Sequence, residues 1–527
     1  MRDFHRPGRS AVFAQNGLCA TSHPLAAAVA LDLLRAGGTA ADAAVGAALM
    51  LGLCEPHMCG IGGDCFAMVK PAGEERIVGL NGSGRAPAAA RADALRAEGL
   101  SAVPWRSAHA VTIPGSIAAF ERLLADWGRL GLAEVAAPAI RYAEQGVPVA
   151  PRVARDWAEE AEALSGRARE LFLIGGAAPK AGDVFRAPAL AEALKLIAKH
   201  GAKGFYEGPV AEDMADSLRA LGGAHAAEDF AACAADPVEP ISGAYRDVEL
   251  VELPPNGHGA TAILMARLLG GFEIGKLDPF GPMRAHLEAE AAKLAYDARN
   301  RFIADPAAMR FGLEPMLDDA KVAALGRLID PQRALPDARK ATAAIHKDTV
   351  YVCVVDRDGM AVSLIHSLFH GFGAGIASEK FGVLFQNRGA GFTLEKGHPN
   401  EYGPAKRPLH TIIPGMLRRG GRVVMPFGVM GGQYQPTGHV RLVSNMVDYG
   451  MDVQAAIDAP RSFLEDGALM LERGYDEAVI APLEAKGHAV GWRPDPLGGA
   501  QAIVIDHARG VLIGGSDPRK DGIALGY

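Results

Sequence analysis

Residues 348–369 read DTVYVCVVDRDGMAVSLIHSLF, and this stretch decides how the rest of the chain is interpreted. Two runs rich in β-branched and other apolar residues flank the turn sequence Asp356-Arg-Asp-Gly359. Strand-forming runs on either side of such a turn predict a β-hairpin. A long block with helical periodicity precedes the hairpin, so the composition of the chain changes at Thr349.

The overall composition favours a globular protein and argues against a nucleic-acid partner. The chain has 527 residues, a length that suggests two or three domains, and 49% of them are apolar while 22% are charged. The formal net charge is -7 and only 6% of the residues are aromatic. Nucleic-acid binding needs a basic surface, and single-strand binding also needs aromatic platforms.

The six cysteines lack the paired spacing of a zinc site, so they are interpreted as reduced and buried thiols. We expect neither a metal nor a cofactor.

The N-terminal residues show no apolar segment typical of a secretion signal. The longest apolar run, Ala43–Cys54, is far shorter than the ~20 residues of a membrane span. These features predict a cytoplasmic location.

The order of predicted elements indicates an α+β protein. Helical spacing predicts a helix over Pro24–Leu34 and a second helix that begins near Thr39. Residues 90–347 are interpreted as mostly helical. Further elements are predicted as follows: strands at 65–70, 382–387, 407–417, 422–432 and near the C-terminus, a turn at 389–391, and helices at 439–449 and after Asp452. Antiparallel sheets built from both halves of the chain, between helices, fit this order.

Several ordered motifs resemble the γ-glutamyltransferase (glutathione hydrolase) family of N-terminal-nucleophile hydrolases. The resemblance spans essentially the whole chain and includes Asp348-Thr349 with the strands that follow. The other matching motifs are His5–Ser10, Ala20–Pro24, Gly60–Gly63, Gly82–Pro87, Gly431-Gly432 and Gly515–Gly522. The motifs PHMCGIGGD, QNRGAGF and RPLHTIIP resemble a branch with glutathione hydrolase-like proteins, oxamate amidohydrolases and cephalosporin-acylase-like enzymes.

The resemblance implies an αββα four-layer sandwich and a precursor that cuts itself between Asp348 and Thr349. The products would be a large subunit, residues 1–348, and a small subunit, residues 349–527, which together form one core. This heterodimer could pair further. Thr349 would be the nucleophile and its freed α-amine the base, because a threonine hydroxyl needs an adjacent base. Ser367 stands where the family has a supporting threonine, and Gly431 and Gly432 match its oxyanion-hole glycines.

The positions that recognise a γ-glutamyl group in the family are changed in this sequence. Ser83 falls at the position of the arginine that binds the substrate carboxylate, with Arg85 two residues away. Gly391 falls at the acidic position that binds the substrate amine, and Phe369 replaces an asparagine. Two serines of the site become His410 and Thr411. The substrate is therefore predicted to be a non-standard γ-glutamyl amide or another small carboxy-acyl amide.

Arg85, Arg388 and His410 are the candidates for holding the substrate carboxylate, with Phe369 and Thr411 lining the site. Arg85 could instead form a structural salt bridge, and His410 a structural hydrogen bond. Thr349, Ser367 and the glycine pair also have purely structural interpretations, as strand and turn residues.

Two histidines, His366 and His370, are predicted to be structural rather than metal ligands. Gly60–Gly63 lacks the spacing of a dinucleotide loop.

Three alternative functions remain open from the sequence. The chain could be a true glutathione hydrolase or γ-glutamyltransferase, or an oxamate-type amidohydrolase. It could also be a binding protein that retains the fold without catalysis, because the substrate-clamping residues are changed.

Overall fold

The computed structural model describes residues 8–336 and 348–527. The strands are β1 Val12–Ala14, β2 Gly17–Thr21, β3 Asp64–Lys70, β4 Val78–Gly82, β5 Val147–Pro148, β6 Val184–Phe185, β7 Asp236–Val238, β8 Ile241–Tyr245, β9 Val248–Glu252, β10 Asp348–Asp356, β11 Ala361–Phe369, β12 Gly415–Arg419, β13 Arg422–Met430, β14 Ser462–Glu465, β15 Ala468–Leu471, β16 Ala489–Trp492, β17 Gly499–Asp506, β18 Val511–Ser516 and β19 Ile523–Gly526.

The α-helices alternate with these strands along the chain. They are α1 Pro24–Arg35, α2 Ala40–Cys54, α3 Ala92–Ala97, α4 Ser116–Trp127, α5 Leu132–Gln145, α6 Pro151–Glu160, α7 Gly166–Phe172, α8 Pro188–His200, α9 Lys203–Tyr206, α10 Pro209–Ala220, α11 Ala227–Ala231, α12 Gly259–Gly270, α13 Pro282–Phe302, α14 Glu314–Leu317, α15 Asp319–Gly326, α16 Gln435–Val447, α17 Val453–Asp458 and α18 Ile480–Ala485.

Two seven-stranded sheets form the centre of the molecule. One has the order β1-β18-β17-β13-β12-β9-β8 and the other the order β19-β2-β10-β11-β3-β4-β7. The sheets contact each other through β10 with β13 and β17, and through β11 with β13. Helices α1 and α2 cover the outer face of the second sheet, and α12, α16 and α17 cover that of the first. The predicted αββα sandwich is therefore confirmed.

The β10–β11 hairpin lies in the middle of its sheet, between β2 and β3, as antiparallel pairs. Every residue of β11 is buried, and so are residues 350–355 of β10. Burial on both faces explains why neither strand alternates between apolar and polar residues. Each large sheet contains strands from both sides of Thr349, so neither part of the chain completes a sheet alone.

Tyr351 and Gly428 form a close contact between the two sheets. A methyl group added at Gly428 would lie 2.4 Å from Cε2 of the Tyr351 ring. The Tyr351 hydroxyl is 2.7 Å from Oγ of Ser363 on the neighbouring strand, which fixes the ring. The absence of a side chain at Gly428 is what allows the ring to fit between the sheets.

The two predicted N-terminal helices are confirmed. Thr39 caps α2, and Asp42 completes a capping box with it. Nearly every residue of α2 is buried, which matches its apolar composition on all sides. The Asp356 carboxylate of the hairpin turn accepts a hydrogen bond of 2.8 Å from the backbone N–H of Ala40, so this helix packs directly onto the hairpin.

Three sequence predictions in the second half of the chain need correction. Residues 382–387 do not form a named strand, and the turn predicted at 389–391 is part of a 3-10 helix over Arg388–Gly391. The backbone of residues 383–385 forms only a short antiparallel pairing with residues 374–378. The side chains of Gln386 and Asn387 then bond to distant groups. Residues 407–414 are extended without joining a sheet, and β12 begins only at Gly415.

The two helices predicted late in the chain are present, with altered boundaries. The helix predicted at 439–449 begins four residues earlier, as α16. The helix expected after Asp452 is α17, capped by that aspartate.

Five of the six cysteines are buried, and Cys233 is partly exposed. Within the described ranges, no helix has both the length and the apolar character needed to cross a membrane.

Gly428→Ala should destabilise the protein by about 1–3 kcal/mol, because the added methyl group must displace the Tyr351 ring. Urea unfolding followed by tryptophan fluorescence measures the change as a lower midpoint. Gly270→Ala is the matched control, because nothing lies within 4 Å of a methyl group added at that end of α12. Equal midpoints for the two variants would contradict the assigned packing.

Candidate active site

A β-bulge places Thr349 in an unusual position at the start of the hairpin. Asp348 pairs with Phe369 and Val350 pairs with His366, and the register shifts between these pairs. Two residues of β11, Ser367 and Leu368, therefore face the single residue Thr349. Bulges change the direction of a side chain and occur often beside active sites.

The Thr349 hydroxyl is held by Ser367. Oγ1 of Thr349 donates a hydrogen bond of 3.1 Å to Oγ of Ser367, and the backbone N–H of Phe369 donates one of 2.8 Å to the same oxygen. Both hydroxyl residues are buried. A methyl group at Gly63 would lie 2.4 Å from the Ser367 carbonyl oxygen, so the Gly60–Gly63 loop packs against this strand.

Gly431 and Gly432 lie between β13 and α16, with φ angles of 127° and 57°. Both angles fall in the region that favours glycine. Gly431 and Thr349 line the same cleft, so backbone without a side chain approaches the nucleophile candidate. Gly431 of the predicted glycine pair and Thr349 are thus brought together.

The cleft beside Thr349 is rich in charged groups. Sequence reasoning assigned none of these charged residues to the site. Its complete lining is Met58, Arg152, Asp156, Glu159, Glu160, Thr349, Met430, Gly431, Pro496, Gly498 and Lys520. Lys520 lies inside the matched Gly515–Gly522 motif, so the sequence contained a motif that could have identified it as a site residue. The charged residues of α6 carried no comparable signal.

An ion-pair network forms one wall of this cleft. Oδ2 of Asp156 lies 3.1 Å from Nζ of Lys520, and its Oδ1 lies 2.6 Å from Nε of Arg152. Burial alone would raise the pKa of the Asp156 carboxyl, but His57, Lys520 and Arg152 together hold that pKa well below its ordinary value. Asp156 is therefore ionised at neutral pH, and it balances one of the two cations.

Arg388 lies behind Ser367 and is fully buried. Its Nη1 donates a hydrogen bond of 2.8 Å to Oγ1 of Thr411, and its Nη2 lies 3.4 Å from Oγ of Ser367. Among the described residues no carboxylate lies within 4.0 Å of the guanidinium, and its Nε has no hydrogen-bond partner. Burial lowers the pKa of Arg388 to about 9, so the group remains a cation at neutral pH.

Phe369 connects Ser367 and Arg388. Its φ of 86° is rare for a residue with a side chain and marks local backbone strain at the end of β11. The guanidinium carbon of Arg388 lies 3.9 Å from the centre of the Phe369 ring, a cation–π contact. This stacking fixes the orientation of the guanidinium next to Ser367.

His410 makes the structural hydrogen bond that the sequence left open. Its Nε2 donates to Oδ2 of Asp64 at 3.0 Å, and its Nδ1 accepts from the N–H of Ile412 at 3.3 Å. Burial, together with the charge of Arg388, lowers the pKa of His410 to about 3. The imidazole is therefore neutral.

Asp64, which sequence reasoning did not single out, also accepts hydrogen bonds from Gln386 and from two backbone N–H groups. It follows directly after the Gly60–Gly63 motif.

Arg85 lies away from the Thr349 cleft. Its guanidinium is 45% exposed and pairs with Asp305 at 3.3 Å and Asp236 at 3.7 Å. A methyl group at Gly391 would lie 2.9 Å from the carbonyl oxygen of Leu409, so an acidic side chain has no room at this position. The Ser83 hydroxyl bonds to Asn81 at 2.7 Å.

The two histidines predicted to be structural are both buried. His366 bonds to the Gly60 carbonyl oxygen, and His370 bonds to the Asn387 amide.

Comparison with known proteins identifies relatives over nearly the whole chain. The family model described as Gamma-glutamyltranspeptidase matches residues 26–527. The glutathione hydrolase-like YwrD proenzyme of Bacillus subtilis is 34% identical over 96% of this chain and 97% of its own length. The oxamate amidohydrolase proenzyme of Klebsiella pneumoniae is 34% identical over 97% of this chain and 98% of its own length.

Solved structures give the same result. The crystal structure of cephalosporin acylase from Bacillus halodurans superposes with a TM-score of 0.93 at 35% identity, covering 100% of this chain and 99% of that chain. These relatives confirm the family resemblance. Their names are those of the branch that the sequence motifs indicated. The chain belongs to the gamma-glutamyltranspeptidase family, whose members are hydrolases and acyltransferases that act on amide bonds.

Proposed function

We propose that this enzyme cuts its own chain between Asp348 and Thr349 and then uses Thr349 as the nucleophile on amide substrates. The observation that carries the proposal is the hydrogen bond of 3.1 Å between Oγ1 of Thr349 and Oγ of Ser367 at the bulge. A hydroxyl held by a neighbouring acceptor, with glycine backbone in the same cleft, is the arrangement that acyl transfer requires.

Self-cleavage uses the same hydroxyl on the chain's own backbone. Oγ1 of Thr349 adds to the main-chain carbonyl carbon of Asp348, and the hydroxyl proton passes to the Thr349 nitrogen. The peptide C–N bond then breaks, which leaves an ester in place of the amide and a free α-amine on Thr349. Water hydrolyses the ester and frees the new α-carboxylate of Asp348 and the Thr349 hydroxyl. Ser367 holds the hydroxyl in place during this step.

The freed α-amine supplies the base for turnover. An α-amine has a pKa of about 8, so a useful fraction is neutral near pH 7. It takes the proton of the Thr349 hydroxyl as the oxygen attacks the substrate carbonyl. The N–H groups of Gly431 and Gly432 stabilise the oxyanion, and the acyl group passes from Thr349 to water or to an amine.

The two products remain together as a heterodimer. Residues 1–348 and 349–527 would be the large and small subunits. Each central sheet takes strands from both, so separation would expose the apolar faces of both sheets.

The substrate is a small acyl amide with one carboxylate on its acyl group, held by Arg388. The support is a buried cation that has no carboxylate within 4.0 Å in the described part of the chain. A charge that stays buried and unpaired is costly, and a substrate carboxylate would compensate it. The changes at Ser83 and Gly391 disfavour a standard γ-glutamyl group. Oxamate, the substrate named for one relative, has the required form.

Thr349→Ala should abolish self-cleavage, because no hydroxyl remains to attack the Asp348 carbonyl. Intact-mass spectrometry should show a single chain for this variant and two fragments that meet at Asp348/Thr349 for the unaltered protein. Thr349→Ser is the matched control and should still be cut, since it retains the hydroxyl. A fully active single chain from the unaltered sequence would refute the proposal.

Arg388→Met should lower kcat/KM for oxamate about 10- to 150-fold. This factor corresponds to the loss of one charge-assisted hydrogen bond of about 1.5–3 kcal/mol. Oxamide, which has an uncharged amide in place of the carboxylate, should be affected much less. Steady-state assays of both compounds on processed enzyme, alongside a γ-glutamyl amide, measure the difference. Equal losses on oxamate and oxamide would show that Arg388 acts on Ser367 rather than on the substrate.

A further inference from the structure

A buried cluster outside the active site holds the segment that precedes the proposed cleavage site. The cluster consists of His286, Glu290 and Lys293 on α13 together with His488, which lies in the C-terminal part of the chain. All four side chains are buried. We call these four residues the clasp, and residues 330–335 the strap.

The ion pair of the clasp binds one strap residue through its backbone. Nζ of Lys293 lies 2.6 Å from Oε1 of Glu290 and donates a second hydrogen bond, of 3.0 Å, to the carbonyl oxygen of Leu335. The N–H of Leu335 donates to Oε2 of Glu290 at 2.6 Å. Glu290 and Lys293 therefore bind both backbone polar groups of Leu335, in addition to each other.

The histidine pair binds the other end of the strap. Nε2 of His286 donates to the carbonyl oxygen of Asp330 at 2.8 Å, which leaves its Nδ1 as an acceptor for Nε2–H of His488, also at 2.8 Å. Burial lowers the pKa of both imidazoles, so both rings are neutral. The Nε2–H of His488 is then the one proton between them.

A turn near His488 adds two further contacts to the strap. The N–H of Ala334 donates to the carbonyl oxygen of Lys486 at 2.7 Å, and Nζ of Lys486 donates to the carbonyl oxygen of Pro331 at 2.7 Å. The strap is thus bound on one side by α13, which precedes Thr349 in the sequence, and on the other by residues 486–488, which follow it.

A divalent cation is a weaker explanation for the same residues. Ligand atoms of His286, Glu290 and His488 lie within 4.8 Å of one another, as three ligands of a cation would. Both oxygens of Glu290 already accept hydrogen bonds, one from the ammonium group of Lys293, which would repel a cation. The two imidazoles are bonded to each other.

We propose that the clasp holds the strap in a fixed position. The strap is the last described segment before the Asp348–Thr349 bond, so Glu290 and Lys293 act as positioning residues for self-cleavage. A buried ion pair is costly unless all its polar groups are satisfied, and here they are satisfied by the strap. The inference rests on the proposed self-cleavage, although the docking itself can be tested without it.

Glu290→Gln should slow self-cleavage of freshly purified precursor at least 10-fold, because it leaves Lys293 without its anionic partner and loosens Leu335. Gel electrophoresis and intact-mass spectrometry over time give the half-time. Glu288→Gln is the matched control: Glu288 is a buried ion-paired glutamate on the same helix, but it bonds to Arg284 and Arg441 instead of the strap. It should be cut at close to the unaltered rate.

Docking is measured separately by limited trypsin digestion after Arg333 of the full chain. Glu290→Gln should be cut at least 10-fold faster there than the unaltered protein or Glu288→Gln. If Glu290→Gln does not fold, Leu335→Pro gives the same test, because it removes the N–H that donates to Glu290 and leaves the side chains of Glu290 and Lys293 in place. Unaltered rates in both assays, or equal slowing by Glu288→Gln, would overturn the proposal.

A third outcome separates this proposal from the proposed function. If the unaltered chain never cuts itself, self-cleavage and the positioning role both fail, while the trypsin result still decides whether the clasp docks the strap.

Discussion

The hydrogen bond between the hydroxyls of Thr349 and Ser367 joins two strands of a hairpin that is buried on both faces. A bulge makes this bond possible, because it sets one residue of β10 against two of β11. The surrounding sheet prevents the hairpin from changing register, since both neighbouring strands also pair with it. The site therefore has a rigid centre, and the residues that distinguish this enzyme lie around it.

Two different electrostatic environments meet at Thr349. The cleft side is lined by ion pairs, with Lys520 and Arg152 on either side of Asp156. Behind Ser367, Arg388 is buried without a carboxylate within 4.0 Å in the described residues and stacks on Phe369. The cleft cations share contact ion pairs with Asp156, whereas Arg388 has no contact ion pair in the described residues and is attracted at longer range by Asp64. This difference is the physical reason to place the substrate carboxylate near Arg388.

The sequence predicted the parts of this protein that depend on local pattern. The hairpin, the helices α1 and α2, and the glycine pair at 431–432 are all where the motifs placed them. Residues 382–387 had strand composition but bond through Gln386 and Asn387 to distant groups, which no local pattern records. The charged wall of the cleft was missed because α6 is brought to Thr349 only by tertiary packing. Arg85 and Arg388 were equivalent candidates in sequence. The structure separates them, because Arg85 is partly exposed and ion-paired whereas Arg388 is buried without a contact carboxylate among the described residues.

The most direct test of the account is to find the atom that carries the acyl group during turnover. Processed enzyme would be mixed with an activated ester of a small carboxy-acyl group, quenched in acid and digested, and the modified peptide would be sequenced by mass spectrometry. One acyl group is expected on Thr349 at the start of the 349–527 fragment, and none after Thr349→Ala. Turnover with acylation at another residue, or with no acyl-enzyme under any quench time, would contradict it.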